Sequence, residues 1–178
     1  MSGPRDPPGS SSAATAGENL RFEPLGPDHA AALFPLLGDA RVWQHIQGSD
    51  GATEEQMRAA YARRAAGSTR PGERWMNFAV RLSSDPYLGR VEATVHDQTW
   101  AEIAYVFGLS HRGRGYARAA VSWLLGQVGV GEVWAAVAPS NERSRRLLLA
   151  LGFREAPPSR ALASWDPGDL TFRWDRPG

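Results

Sequence analysis

Hydrophobic and polar positions at the start of the chain follow two different periods, and each period predicts one type of element. Residues 20–24 alternate with a period of two, which predicts a short strand that ends at Pro24. Pro27 is typical of the start of a helix, and Gly38 is typical of its end. Between them, apolar residues recur at helical spacing: Ala30, Leu33, Phe34 and Leu37. The pattern therefore predicts a strand followed by a helix.

The next segment lacks a clear period. Residues 39–51 mix aromatic, apolar and polar residues, which favours a loop or a broken helix. Thr53 and Gln56 have the spacing of a capping box, in which two side chains satisfy the free N–H groups of a first helical turn. This pair predicts a second helix that reaches about Ala66.

Three segments in the middle of the chain are predicted to be strands: 75–82, 88–96 and 99–107. Short groups of turn residues separate them. Consecutive strands joined by such short turns pair in opposite directions. We therefore expect an antiparallel meander.

Helical and extended patterns then alternate. Residues 115–128 carry an apolar face at helical spacing, and the nearly continuous apolar run 132–138 predicts a buried strand. Asn141 is a favourable cap for a further helix, which Gly152 ends. The last predicted strands are 153–155 and 170–174. The order predicts a mixed α/β fold built on one sheet.

Length and composition limit the domain organisation. A chain of 178 residues with 42% hydrophobic content can bury one substantial core, so we expect one domain, residues 18–178. Residues 1–17 are mostly Pro, Gly, Ser and Ala, which offer little surface to bury. We expect them to form a disordered leader.

Charge and cysteine content exclude several classes of function. The 20 basic residues are all arginine, and with 19 acidic residues they leave a formal net charge of +1, too balanced for a nucleic-acid scaffold. There is no cysteine, which excludes disulfides, thiolate metal sites and a cysteine nucleophile. Neither an apolar run of about 18 residues nor a secretory signal is present. We expect a cytoplasmic protein with no membrane partner and no metal.

The segment 112–117, Arg-Gly-Arg-Gly-Tyr-Ala, lies between a predicted strand and a predicted helix. Glycines let the backbone turn tightly and approach a ligand, and the first turn of a helix presents N–H groups without partners. These donors and the positive end of the helix dipole favour an anion such as a diphosphate. The segment therefore predicts a site for a phosphorylated cofactor.

Two other phosphate-binding loops do not fit this segment. The Walker loop requires a lysine, which the chain lacks. The dinucleotide fingerprint requires three glycines in an early strand–helix–strand unit, whereas this segment has two and follows a meander.

The combination of motifs resembles the GCN5-related N-acetyltransferase (GNAT) superfamily, and within it the branch of ribosomal-protein N-terminal acetyltransferases. The family signature of Gln or Arg, two residues, Gly, one residue, and Gly or Ala is matched by Arg112, Gly115 and Ala117. About thirty residues later the family has an Asn, a helix and Gly-Phe, matched here by Asn141, Ser144, Gly152 and Phe153. The resemblance covers roughly residues 19–175 and implies a mostly antiparallel sheet of about seven strands with about four helices.

The resemblance implies acetyl-CoA as the acyl donor and assigns residues to it. The backbone near Phe107 and Leu109 is expected to pair with the pantetheine arm. Asn141 is expected to contact the cofactor or an ordered water. The pyrophosphate is expected on the segment formed by Arg112, Gly113, Arg114, Gly115, Tyr116 and Ala117.

The resemblance also implies catalytic roles. Ser144 occupies the position where the branch places a serine that donates a proton to the departing thiolate. Many members of the superfamily have a tyrosine seven residues after the Asn, but this chain has Leu148 there. Glu102, on a strand beside the cleft, is our candidate for the base that removes a proton from the amine. His45 and His111 are alternative bases.

The resemblance implies that the acceptor is an amine, but the sequence does not decide between several classes of amine. The family lines its acceptor site with the segment between the first two helices, which here contains Trp43 and His45. The branch favours a peptide or protein N-terminus, and relatives also modify small amines. The alternatives are an aminoacyl-tRNA and a sensor that binds acyl-CoA without turnover. A homodimer also stays open.

Overall fold

The computed structural model describes residues 20–46, 50–84 and 86–178 of the chain. The predicted leader, residues 1–17, lies outside the described residues. So do residues 47–49, which belong to the predicted acceptor segment.

The described residues form seven strands and four α-helices. The strands are β1 Leu20–Pro24, β2 Glu73–Leu82, β3 Tyr87–His96, β4 Trp100–Phe107, β5 Glu132–Val137, β6 Arg154–Glu155 and β7 Leu170–Asp175. The helices are α1 Ala30–Leu37, α2 Glu54–Ala66, α3 Tyr116–Gln127 and α4 Glu142–Ala150. The predicted elements are confirmed, with shifts of one or two residues at most ends.

All seven strands lie in one sheet, in the order β1-β2-β3-β4-β5-β7-β6. The meander from β2 to β4 is antiparallel, as predicted. The pair β4–β5 is parallel, because the chain crosses over through α3 between these two strands. The mixed α/β fold class is therefore confirmed.

The helices cover both faces of the sheet. On one face, Ile103 and Val133 pack in a core with Leu124 of α3 and Leu148 of α4. On the opposite face, Val106 and the β2 residue Ala79 pack with α1 and α2. Since successive strand residues point to opposite faces, β4 contributes alternate residues to both cores.

The start of α2 and the segment before it can be compared with the local sequence signals. The Thr53 hydroxyl accepts the Gln56 N–H at 3.2 Å, which confirms the predicted cap of α2. The return bond of the capping box differs from the expectation, because the Gln56 side chain accepts from Ala52 instead of Thr53. The predicted loop or broken helix between α1 and α2 contains one 3₁₀ turn, Ala40–Val42.

Gly89 allows β3 to approach the end of β4. It pairs with Phe107, and a β-carbon at position 89 would lie 2.1 Å from the Val106 carbonyl oxygen. A side chain there would push the two strands apart. The glycine therefore helps to fix the position of the last residues of β4, which line the site described below.

In the part of the chain that the structure describes, no helix combines the length and the apolar character needed to cross a bilayer.

Candidate active site

The site lies where β4 and β5 separate. Their parallel pairing covers only three positions, from Trp100 with Glu132 to Glu102 with Trp134. Beyond them the strands diverge, and two cavities open beside the second half of β4, one of which reaches the segment 135–138. An extended ligand in this gap would lie beside the edge of β4 as an added strand.

One cavity, the long groove, has a volume of about 770 Å³ and runs from the gap to the start of α3. Its lining brings together six of the residues predicted for the cofactor and for catalysis: Phe107, Arg112, Gly113, Ala117, Asn141 and Ser144. Arg143 and Arg146 of α4 also line it. The predicted anion segment and the predicted Asn-helix block therefore meet in one groove.

Backbone and charge both suit this groove to an anion. Gly113 and Gly115 have φ values of 80° and 79°, a left-handed conformation that glycine adopts without strain. They lead directly into the first turn of α3, which begins at Tyr116 and presents its free N–H groups. Burial lowers the pKa of Arg112, and the nearby guanidinium groups of Arg143 and Arg41 lower it further. Because these cations repel one another, a bound anion would stabilise the groove.

The other predicted cofactor residues do not line the groove. Leu109 packs against the cluster of α1 and α2. Tyr116 packs against the α3 core, and Gly115 is the N-cap of α3. Arg114 is exposed nearby and contributes to lowering the pKa of His111, after the larger effect of burial. For Tyr116 and Gly115, a contact with the cofactor would have to come through the backbone.

The first turn of α4 places a serine in the gap. The Asn141 side chain accepts the Ser144 N–H at 3.2 Å and caps the helix. The Ser144 hydroxyl lies 2.6 Å from the phenol oxygen of Tyr105 on β4. Burial raises the pKa of Tyr105 to about 12. Tyr105 belongs to the run 101–105, which also resembles the family branch, but its sequence pattern predicted no role for it, because it reads as one more large residue in a buried strand.

A second cavity of about 340 Å³, the polar cavity, lies on the α1 and α2 side of the gap. Both residues predicted for the acceptor, Trp43 and His45, line it. The Trp43 indole N–H donates to the Leu37 carbonyl at 2.6 Å, which fixes the ring. His45 Nδ1 lies 3.1 Å from the Ser140 hydroxyl, so the acceptor segment contacts the loop before α4. His111 lines the long groove and not this cavity.

Four charged residues in the wall of the polar cavity form a cluster that we call the buried quartet: Asp50, Arg64, Arg90 and Glu92. Arg90 binds Asp50 through two N–H groups, at 2.7 and 2.9 Å, and also donates to Glu92. Arg64 reaches Asp50 at 2.9 Å and Glu92 at 3.4 Å. The quartet ties the segment before α2 to α2 and β3.

The centre of the quartet is buried, whereas the side chains of Arg64 and Glu92 at its edge are 25% and 27% exposed. The Asp50 side chain is 0% exposed and that of Arg90 is 3% exposed. Burial alone would lower the pKa of Arg90, but the carboxylates of Glu92 and Asp50 reverse this and raise it. Tyr61 also donates to Asp50, at 3.1 Å. The quartet was not among the sequence-based predictions. The signal that could have indicated it is the alternation of Arg90, Val91 and Glu92, which puts two opposite charges on one face of a strand.

Glu102 is only 6% exposed and is bound to a distant loop. Its carboxylate accepts the backbone N–H groups of Ala163 and Ser164, each at 2.8 Å, and the hydroxyl of Ser164. Ala163 and Ser164 line the polar cavity. Glu102 thus anchors the loop that forms one wall of this cavity, and its role as a base stays a prediction.

No group of three or more His, Asp or Glu side chains suited to a metal ion occurs within residues 20–46, 50–84 and 86–178.

Comparisons with known proteins agree with this geometry. A family model for an acetyltransferase (GNAT) domain matches residues 19–154, more than half of the chain. A search of curated proteins found no match.

Solved structures with the same fold include three acetyltransferases. One from Bacillus anthracis is 19% identical, with a TM-score of 0.70 over 89% of this chain and 94% of that one. Spermidine N-acetyltransferase from Vibrio cholerae, solved with CoA and spermine, is 16% identical, with a TM-score of 0.66 over 87% of this chain and 93% of that one. The microcin C7 self-immunity acetyltransferase, solved with acetyl-CoA and AMP, is 12% identical, with a TM-score of 0.75 over 94% of this chain and 98% of that one.

The buried quartet generates a stability prediction. Replacing Asp50 with Asn removes one of the two carboxylates that neutralise the buried Arg90 and leaves only Glu92 against two arginines; breaking a buried pair in this way costs about 3–5 kcal/mol. We expect the free energy of unfolding in urea, followed by tryptophan fluorescence, to fall by about that amount.

The matched control is Glu54→Gln, which removes an exposed pair with Arg58. It should change stability by less than about 1 kcal/mol. Equal effects of the two substitutions would show that the quartet contributes no more than a surface ion pair.

Proposed function

The chain belongs to the GNAT acetyltransferase family, and we propose that it transfers an acetyl group from acetyl-CoA to a primary amine held in the polar cavity. The observation that carries this proposal is that the long groove and the polar cavity meet at the gap between β4 and β5. They share six lining residues: His45, Ile46, Tyr105, Val106, Asn141 and Ser144. A thioester in the groove and an amine in the cavity would therefore meet there, in one ternary complex.

On the donor side, the pyrophosphate of acetyl-CoA would lie on the segment 112–117. The glycine conformations, the N–H groups of the first turn of α3 and the crowded cations Arg112 and Arg143 support this position. The pantetheine arm would then follow β4 past Phe107 into the gap. The complexes of two structural neighbours with CoA and acetyl-CoA are consistent with such a donor.

At the gap, the amine nitrogen would attack the carbonyl carbon of the thioester. A backbone N–H near Phe107 would stabilise the negative charge that develops on the carbonyl oxygen. Ser144 would give a proton to the departing sulfur, since its hydroxyl lines both cavities. Glu102 would take the proton that the amine loses, through water, because its carboxylate is held by the wall of the polar cavity.

On the acceptor side, the charges of the polar cavity favour a cationic amine. Its lining includes the carboxylates of Asp166 and Asp169 from the loop before β7, in addition to the buried quartet. The two arginines and two acids of the quartet compensate one another, so these aspartates give the cavity a negative excess. A peptide N-terminus or a small amine fits this charge better than the phosphate backbone of a tRNA, since phosphates are repelled by carboxylates.

Donor binding can be tested with acetyl-CoA and isothermal calorimetry. Gly113→Asp places a carboxylate against the expected pyrophosphate, and we expect acetyl-CoA to bind at least about tenfold more weakly, a loss of about 1.4 kcal/mol. Gly129→Asp is the matched control, because Gly129 has a similar φ of 75° and equally open surroundings but does not line the groove. Unchanged binding in Gly113→Asp, or no binding by the unaltered protein, would refute the donor site.

The acceptor class can be tested by measuring release of free CoA from acetyl-CoA with three probes: short peptides, spermine and an aminoacyl-tRNA. We expect turnover with peptides or spermine. Turnover with the aminoacyl-tRNA alone, weakening steeply as salt is added, would instead support the tRNA alternative. Tight binding of acetyl-CoA without turnover of any probe would favour a sensor.

The role of Glu102 as a base can be tested apart from its role as the anchor of the loop that contains Ser164. If it is the base, Glu102→Gln should lower kcat by about 100-fold and leave KM for acetyl-CoA unchanged. Ser164→Ala removes one hydrogen bond from the carboxylate but leaves the base, so it should lower kcat by less than about threefold. A kcat in Glu102→Gln that is no lower than in Ser164→Ala would assign the base to another group.

A further inference from the structure

We propose that Tyr105 is a positioning residue for the reaction: its O–H donates to the Ser144 oxygen and directs the serine proton into the gap, towards the sulfur of the bound thioester. This inference rests on the proposed function and extends it. It adds a second residue to the chemistry of the departing thiolate.

The location of the pair is the first argument. Tyr105 lies on β4, three residues beyond the last position at which β4 pairs with β5. Ser144 lies in the first turn of α4, and the two oxygens are 2.6 Å apart, a short and strong O–H···O distance. The hydrogen bond therefore spans the gap at the point where the long groove and the polar cavity meet, and both residues line both cavities.

Ser144 is held at two points. Its backbone N–H is bound by Asn141, which fixes the first turn of α4. Serine hydroxyls in helices commonly bond to a carbonyl of their own helix. Here the hydroxyl bonds to a side chain on another element instead. The position of the serine oxygen is therefore set by Asn141 and Tyr105, and not by free rotation about the side chain.

Either oxygen of the pair could donate. We assign the donated proton to Tyr105, because a phenol is more acidic than an aliphatic hydroxyl and is therefore the stronger donor. Burial raises the pKa of Tyr105, so the phenol keeps this proton throughout the neutral range. A serine oxygen carries one hydrogen and two lone pairs. When one lone pair accepts from Tyr105, the hydrogen of the serine must point away from the phenol. Since Ser144 lines both cavities, this hydrogen is free for a ligand bound there.

Tyr105 keeps its own proton throughout the chemical step. The bond from the amine nitrogen to the carbonyl carbon forms, and the carbon–sulfur bond breaks with its electron pair going to sulfur. The sulfur takes the proton of Ser144, and the hydrogen bond from Tyr105 stabilises the negative charge on the serine oxygen. Ser144 then regains a proton, through water, from the Glu102 carboxyl group that took the proton of the amine. Hydrogen bonds in series strengthen one another, which favours this transfer.

A double-mutant cycle tests the inference, with acetyl-CoA as donor and spermine and a short peptide with a free N-terminus as acceptors. Tyr105→Phe keeps the ring and should lower kcat by about tenfold, with KM for acetyl-CoA unchanged, because a bond made to a charge developing in the transition state is lost. In the Ser144→Ala background the same substitution should have no further effect. In Ser144→Thr, which keeps a hydroxyl, Tyr105→Phe should lower kcat again.

Controls separate this inference from folding and from the proposed function. Tyr87→Phe also removes a phenol hydroxyl, one that donates to Glu23 at 2.8 Å outside both cavities, and should leave kcat unchanged. Effects of Tyr105→Phe and Ser144→Ala that simply add, or a change in KM alone, would overturn the positioning role while leaving the proposed function intact. Failure of the unaltered protein to bind acetyl-CoA would overturn the proposed function and this inference with it.

Discussion

The incomplete pairing of β4 with β5 is the constraint on which the rest of the site depends. Two parallel strands that hydrogen-bond at only three positions must diverge, and the divergence leaves a length of strand edge without a neighbouring strand. Exposed edges bind extended chains readily. Residues of α4 and of the acceptor segment line the cavities at this gap. The gap is the place that we propose for the pantetheine arm of the donor, so the donor site would follow directly from the incomplete pairing of the sheet.

Charge is distributed to match the two sides of this slot. The long groove concentrates uncompensated cations such as Arg112 and Arg143, which suits a polyanionic donor. In the wall of the polar cavity, by contrast, Arg64 and Arg90 are paired with Asp50 and Glu92. The quartet therefore adds no excess positive charge that would attract phosphates to this cavity.

The sequence predicted what depends on neighbours along the chain. Period and capping located every strand and helix, and the glycines and arginines of segment 112–117 indicated an anion site because a turn and a helix start are local features. The partners of Glu102 lie about sixty residues away in a loop without a pattern, so its anchoring role could not be read from spacing. Tyr105 and Ser144 likewise meet only because the sheet and α4 pack together. When two residues meet only through tertiary packing, the sequence around one of them gives no signal that points to the other.

The arginine lining of the long groove has a further consequence if acetyl-CoA binds there as we propose. A lysine in the same place would present an amine beside the acetyl donor, and its acetylation would remove a positive charge from the groove. The guanidinium group stays protonated and does not act as a nucleophile at any physiological pH. None of the 178 residues is lysine or cysteine, so no side chain in the sequence offers a primary amine or a thiol to the bound donor. The arginines of the groove therefore do not compete with the acceptor amine for the acetyl group.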